Sequence, residues 1–194
     1  MELTDRFDEA LLMASRLHRN QTRKGTNVPY LSHLLGVAAI ALEYGANEET
    51  AIAALLHDAV EDQGGEATLL EIEGKFGKEV GKIVLDCTDA KTFPKPPWKE
   101  RKLRHIAAMA EVSFPSQLVV AADKLHNARS LLCDFRVLEE SLWSRFKASG
   151  DETLWYYHQM IGVLRKAPLP LVEELERTVA QIEALRNRRK GQNS

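Results

Sequence analysis

The 194-residue sequence predicts an all-α fold, and three observations carry that prediction. Apolar residues recur at three- and four-residue spacing along most of the chain. Alternating β-branched segments bounded by turn residues, the mark of half-buried strands, do not occur. Capping residues and glycine or proline stops stand at the ends of the periodic stretches. With 44% hydrophobic and 28% charged residues, the chain can bury one sizeable core.

The first helix is expected over about 4–19, capped by Thr4, with Phe7, Leu11, Ala14 and Leu17 on one face. A basic loop follows at 20–27. The second helix runs over about 31–44, with Ser32 as its cap and Gly45 as a left-handed stop. Asn47 caps a third helix that runs to Asp62. Thr68-Leu69-Leu70-Glu71 has capping-box spacing and opens a short fourth helix ending at Phe76. A fifth spans about 78–88. Pro94, Pro96 and Pro97 make 89–97 an irregular loop. Further helices are expected at about 98–111, 115–134, 137–148 and 152–166. Pro168 and Pro170 then break the chain before a last, heavily charged helix to about 188. Residues 1–166 read as the main domain and 167–194 as a charged helix and tail packed on it or extending from it. The basic end, Arg186 to Lys190, reads as a solvated helix terminus favoured by the helix dipole.

Composition excludes several classes of partner. A net charge of −2 and a pI near 6.3 favour neither nucleic acid nor an anionic membrane. Cys87 and Cys133 lack CxxC spacing and read as reduced core thiols. The N-terminus has no signal-peptide pattern and no apolar run is long enough to span a bilayer, so a cytoplasmic protein is expected.

The third helix is the one around which the chemistry gathers. Ala51 to Leu56 are wholly apolar and lead straight into His57, Asp58, Glu61 and Asp62. A helix that apolar is buried, and ionisable groups delivered to an interior need partners or a metal. The bland alternative is a buried His-Asp pair at a solvated helix end. The pattern then recurs: Leu118 to Ala122 deliver Asp123, with Asn127 one turn further on the same face. His33 stands near the start of a third apolar helix. Two imidazoles and two carboxylates, His33, His57, Asp58 and Asp123, suit Mn²⁺, Fe²⁺ or Zn²⁺ in a working site. A carboxylate off the metal, Glu61 or Asp62, can act as general base. Arg23, Lys24, Lys102 and Lys124 are candidates to balance phosphate charge.

These residues carry a resemblance. His33, the His57-Asp58 doublet and Asp123 resemble the H…HD…D pattern of the HD metal-dependent phosphohydrolase superfamily. Arg23-Lys24-Gly25, Pro29 to His33, Ala53 to Asp62 and Ala122 to Asn127 narrow it to the hydrolase domain of the RelA/SpoT family, in a stand-alone form. The resemblance implies an HD-domain helical bundle that removes the 3′-pyrophosphate of (p)ppGpp. It implies one divalent ion, Mn²⁺ first with Fe²⁺, Zn²⁺ or Mg²⁺ as alternatives, on the four named residues. It implies Glu61 and Asp62 as the pair acting on the attacking water, and Asn127, Arg23 and Lys24 as nucleotide contacts. The partner is then a small nucleotide, without nucleic acid or membrane, and a homodimer stays open. Leu34 and the Pro-rich loop depart from the family pattern. Competing readings are a phosphatase for another nucleotide or dinucleotide such as NADPH, and a non-catalytic nucleotide sensor.

Overall fold

The computed structural model describes residues 2–89, 96–167 and 169–192. Its helices are α1 (Asp5–Leu17), α2 (Leu31–Glu43), α3 (Glu48–Leu56), α4 (Ala59–Asp62), α5 (Gly65–Phe76), α6 (Lys78–Cys87), α7 (Trp98–Met109), α8 (Phe114–Leu138), α9 (Gly150–Leu164) and α10 (Leu171–Gln192). No strand occurs among the described residues, so the all-α expectation holds. One isolated bridge, Thr22 to Pro29, pins the basic loop. Residues 90–95 of the expected Pro-rich loop lie outside the described residues.

The central element is α3. Ala51, Ile52, Ala53, Ala54, Leu55 and Leu56 are all fully buried. Apolar on every side, α3 is packed against α1, α2, α6 and α8. Its large aliphatic side chains each contribute about 1.5–3 kcal/mol by leaving water. Its start is held by Asn47, which accepts the Thr50 N–H at 2.9 Å. Thr4 caps α1 as expected, and its N–H and hydroxyl both donate to Glu48 Oε1, at 2.6 and 2.8 Å, tying the two helix starts together.

The single helix expected over 47–62 is instead interrupted at His57-Asp58. The reason is local. His57 Nδ1 donates to the Ala54 carbonyl at 2.8 Å, the acceptor that a continued helix would offer to the Asp58 N–H. Other boundaries also moved. Tyr30, not Ser32, is the residue before α2. Thr68 donates to the Gln63 carbonyl at 3.0 Å from inside α5 rather than capping it, and the turn into α5 runs through Gly64 and Gly65 at positive φ. α8 runs on to Leu138, because Leu131, Leu132 and Phe135 extend its buried face. Glu139, at φ +51°, then stops it, and Glu139–Arg145 forms 3-10 turns where a helix was expected. Ser149 and Glu152 make a reciprocal capping box that starts α9 two residues early.

α10 lies against α8 and α9 and contributes Leu175, Val179 and Ile182 to the shared core. Its Arg186 is buried and bonded to Glu140 and Asp151, and Arg189 pairs with Glu139 at 2.9 Å. Part of the basic end is therefore an internal anchor rather than a solvated terminus. Cys133 is exposed, which corrects the expectation of two core thiols. No helix among the described residues is long and apolar enough to cross a membrane.

Candidate metal centre and nucleotide pocket

Three helices deliver the four expected ligands to one place. His33 comes from the first turn of α2, His57 and Asp58 from the break after α3, and Asp123 from the middle of α8. His57 Nε2 stands 3.0 Å from Asp58 Oδ2 and 3.8 Å from Asp123 Oδ1. His33 Nε2 stands 3.6 and 3.3 Å from the same two oxygens. Both imidazoles are almost fully buried.

The donor set fits a divalent cation. Since His57 Nδ1 carries the hydrogen given to Ala54, its Nε2 is the atom turned to the carboxylates. That Nε2 is buried and makes no hydrogen bond of its own. Ligand atoms of His33, His57 and Asp58 lie within 4.8 Å of one another, the spacing of a nitrogen and oxygen cluster around one ion. The electrostatics agree. Burial alone would push His57 down, but the Asp58 and Asp123 charges overcome it and raise it to about 9. Burial works against ionised Asp58 as well, yet His57 and His33 hold its carboxyl well below the ordinary range. A site this negative attracts a cation in place of a proton.

His33 is oriented from behind. Its Nδ1 lies 2.9 Å from Nδ1 of His126. Burial, then His33 and Arg23, lowers His126 to about 4, so it is neutral and can accept the His33 Nδ1 hydrogen, leaving Nε2 to face the carboxylates. His126 fits only because residue 36 is glycine: a Cβ there would lie 2.2 Å from His126 Cδ2. Gly36→Ala is therefore expected to displace His126, weaken divalent-cation binding about 10- to 100-fold and cost about 1–3 kcal/mol of stability. Metal titration and thermal unfolding of the variant check both effects.

The two carboxylates line a cavity of about 160 Å³ together with Glu61, Cys87, Asp89 and His105. It adjoins a larger one of about 460 Å³, and Tyr30, Lys102, Lys124, Asn127 and Tyr156 line both. Arg23 and Lys24 line the larger cavity. All five expected substrate contacts thus border this space. A chain of hydrogen bonds joins the two parts: Arg23 Nη2 donates to Asn127 Oδ1 at 2.7 Å, and Asn127 Nδ2 donates to Asp123. Lys124 donates to the other Asp123 oxygen at 2.6 Å; that contact outweighs burial and holds the ammonium well above its usual range.

The acidic pair separates. Glu61 Oε2 accepts the Asp89 N–H at 3.2 Å at the small cavity. Asp62 lines neither cavity, and its Oδ2 accepts from Gln21 Nε2 at 2.9 Å. Sequence reasoning missed Asp89, which bonds to both Arg101 and Lys102. It also missed His105, which is buried at the wall of the small cavity. Of the three adjacent aromatics, Tyr156 and Tyr157 are buried, while Trp155 lies beneath the Lys99 ammonium at 3.0 Å.

A family model described as HD domain matches residues 10–141. The chain belongs to the HD-domain family. The guanosine-3′,5′-bis(diphosphate) 3′-pyrophosphohydrolase MESH1 of Xenopus tropicalis is 44% identical over 126 residues, which are 63% of this chain and 68% of that protein. Human MESH1 is 43% identical over the same length. The GTP pyrophosphokinase rsh of Brucella melitensis is 35% identical over 173 residues, 88% of this chain but 22% of that much longer protein. Among solved structures, a metazoan SpoT ortholog that hydrolyses ppGpp superposes with a TM-score of 0.77 at 27% identity, covering 93% of this chain and 97% of that one. A Listeria monocytogenes crystal structure reaches 0.69 at 34% identity, covering 77% and 97%. This HD-domain chain is accordingly a hydrolase, and its His-His-Asp cluster suits a divalent metal.

Proposed function

We propose that the protein removes pyrophosphate from the 3′ position of guanosine 3′,5′-bis(diphosphate). One observation carries the reading: the carboxylate-imidazole cluster opens directly into a basic cavity of about 460 Å³, large enough for a nucleotide, through shared Lys102, Lys124 and Asn127. His33, His57, Asp58 and Asp123 are the proposed ligands and manganese the proposed ion, in the cytoplasm. Residues 1–166 are the proposed hydrolase domain, with α10 as its buttress.

When bound, a divalent ion polarises a phosphoryl oxygen and makes water at the site more acidic. The remaining work falls to the chain. Glu61, at the wall of the small cavity, takes the proton of the attacking water. Water oxygen joins the phosphorus on the 3′ oxygen and that P–O bond breaks; the 3′ oxygen takes up a proton, equivalent to the one Glu61 gained and returns to solvent, and leaves as the sugar hydroxyl while pyrophosphate departs. Lys102, Lys124 and Arg23 balance charge on the phosphate oxygens. Lys102 and Lys124 are held in place by Asp89 and Asp123, so little reorganisation is needed when phosphate arrives.

The test is product release by Mn²⁺-loaded protein given ppGpp, with GTP and NADPH in parallel. Pyrophosphate from ppGpp is expected, with kcat about 10²- to 10⁴-fold lower in Glu61→Gln. Orthophosphate from NADPH alone would move the substrate assignment, and turnover unaffected by Glu61→Gln would remove the base.

A further inference from the structure

Tyr30 touches both an imidazole and a carboxylate of the cluster without being a ligand candidate. It is the last residue before α2, and the loop that ends on it is pinned by the Thr22 to Pro29 bridge and by Tyr30 N donating to the Gln21 carbonyl at 2.9 Å. Its hydroxyl donates to Asp58 Oδ2 at 2.5 Å. This is the oxygen that faces His57 Nε2 and His33 Nε2. A carboxylate oxygen has two lone-pair directions, so one can accept the phenol while the other points at the centre. The Tyr30 ring meets His33 edge-on, centroids 5.3 Å apart and 66° inclined.

The phenol is itself held. His18 stacks on its ring at 5.3 Å and 18°. His18 Nδ1 donates to Gln21 Oε1 at 2.7 Å, and Gln63 Nε2 donates to the same oxygen at 2.6 Å. Gln21 Nε2 in turn donates to Asp62 Oδ2. The carboxylate next to Glu61 in sequence therefore leads, through Gln21, His18 and Tyr30, back to Asp58.

Resting on the metal reading above, we propose that Tyr30 is a positioning residue for Asp58: its hydroxyl fixes the ligating oxygen, and Asp62 acts through Gln21 and His18 to brace Tyr30 rather than on the attacking water.

Competition of the purified protein against a fluorescent chelator for Mn²⁺ tests this, with turnover of ppGpp followed over a Mn²⁺ titration. Tyr30→Phe keeps the ring against His18 and His33 and removes only the hydroxyl. Its Mn²⁺ affinity is expected to fall about tenfold, the scale of losing a partner that orients a ligand. Turnover at limiting Mn²⁺ should fall with it and recover as Mn²⁺ is raised. Gln21→Leu and Asp62→Asn should shift the metal titration in the same direction, by about threefold. A variant with wild-type Mn²⁺ affinity at Tyr30→Phe overturns the proposal. So does a loss in Asp62→Asn as deep as that of Glu61→Gln that excess Mn²⁺ does not repair, since that marks a base. Asp58→Asn separates the two readings. If it binds Mn²⁺ as wild type does, the metal reading fails and takes this inference with it. If it loses Mn²⁺ while Tyr30→Phe does not, only the role of Tyr30 falls.

Discussion

Asp58→Asn is expected to lower pyrophosphate release from ppGpp at least about 10³-fold, the equivalent of some 4 kcal/mol of transition-state stabilisation. The change is nearly isosteric, so the loss comes from charge. Asp58 Oδ2 is the closest oxygen to His57 Nε2, at 3.0 Å, and lies 3.6 Å from His33 Nε2. An amide there removes one of two negative charges that face the imidazoles and can turn an N–H toward the centre. It also breaks the reciprocity that holds His57 at about 9, because burial then pushes the imidazole down with only Asp123 and the Ala54 carbonyl opposing it. With one of its two facing carboxylates gone, the site attracts a divalent cation far less. Metal content and single-turnover rates check the expectation, with circular dichroism to show that the helices persist. A variant that keeps both metal and rate would show that the reaction occurs elsewhere.

The second large effect concerns acid stability. His105 on α7 is buried, with its Nε2 bonded to nothing. Burial first, then the Lys124 and Lys102 charges, lowers it to about 3 from an ordinary 6.5. Between those values the unfolded chain takes a proton that the fold refuses. The stability contributed by this group is therefore fully present above about pH 6.5 and is lost as pH falls toward 3, at about 1.4 kcal/mol per pH unit and on the order of 5 kcal/mol in all. His105→Gln removes the titration. Urea unfolding at pH 7, 5.5 and 4.5 should show a shallower decline for the variant than for the wild type. Parallel declines would place the acid-sensitive group elsewhere.

Much of this arrangement was legible because it depends on short-range pattern. The apolar run of α3, the Asn47 and Thr4 caps and the Gly45 stop are local features, and each stands where expected. So is the delivery of Asp58 and Asp123 by apolar helices, since burying such a helix dictates where its polar end must go. What escaped the reading depends on contacts between distant segments. The break after Leu56 needs the His57 ring to claim the Ala54 carbonyl, a choice made only when the ring is buried. Neighbours on a helix point about 100° apart, so one carboxylate of Glu61-Asp62 could reach the cavity while the other turned to Gln21, but the sequence does not say which. Asp89, 12 residues before Arg101 and 13 before Lys102, pairs with both only because α7 folds back beside it.

The interruption at His57-Asp58 also has a consequence for chain entropy. On an unbroken helix two adjacent side chains diverge, whereas here both meet at one point. The doublet is thus a local clamp that closes almost no loop. His33 and Asp123 differ: joining them to the doublet closes stretches of about 24 and about 65 residues, and the cost of closure rises with the logarithm of length. An ion bound at the centre would therefore restrain the unfolded chain mainly through these two distant arms. With an ion bound, the four proposed ligands would also lash α2 and α8 to α3, so demetallation should loosen the bundle along those two seams before it disturbs α3 itself.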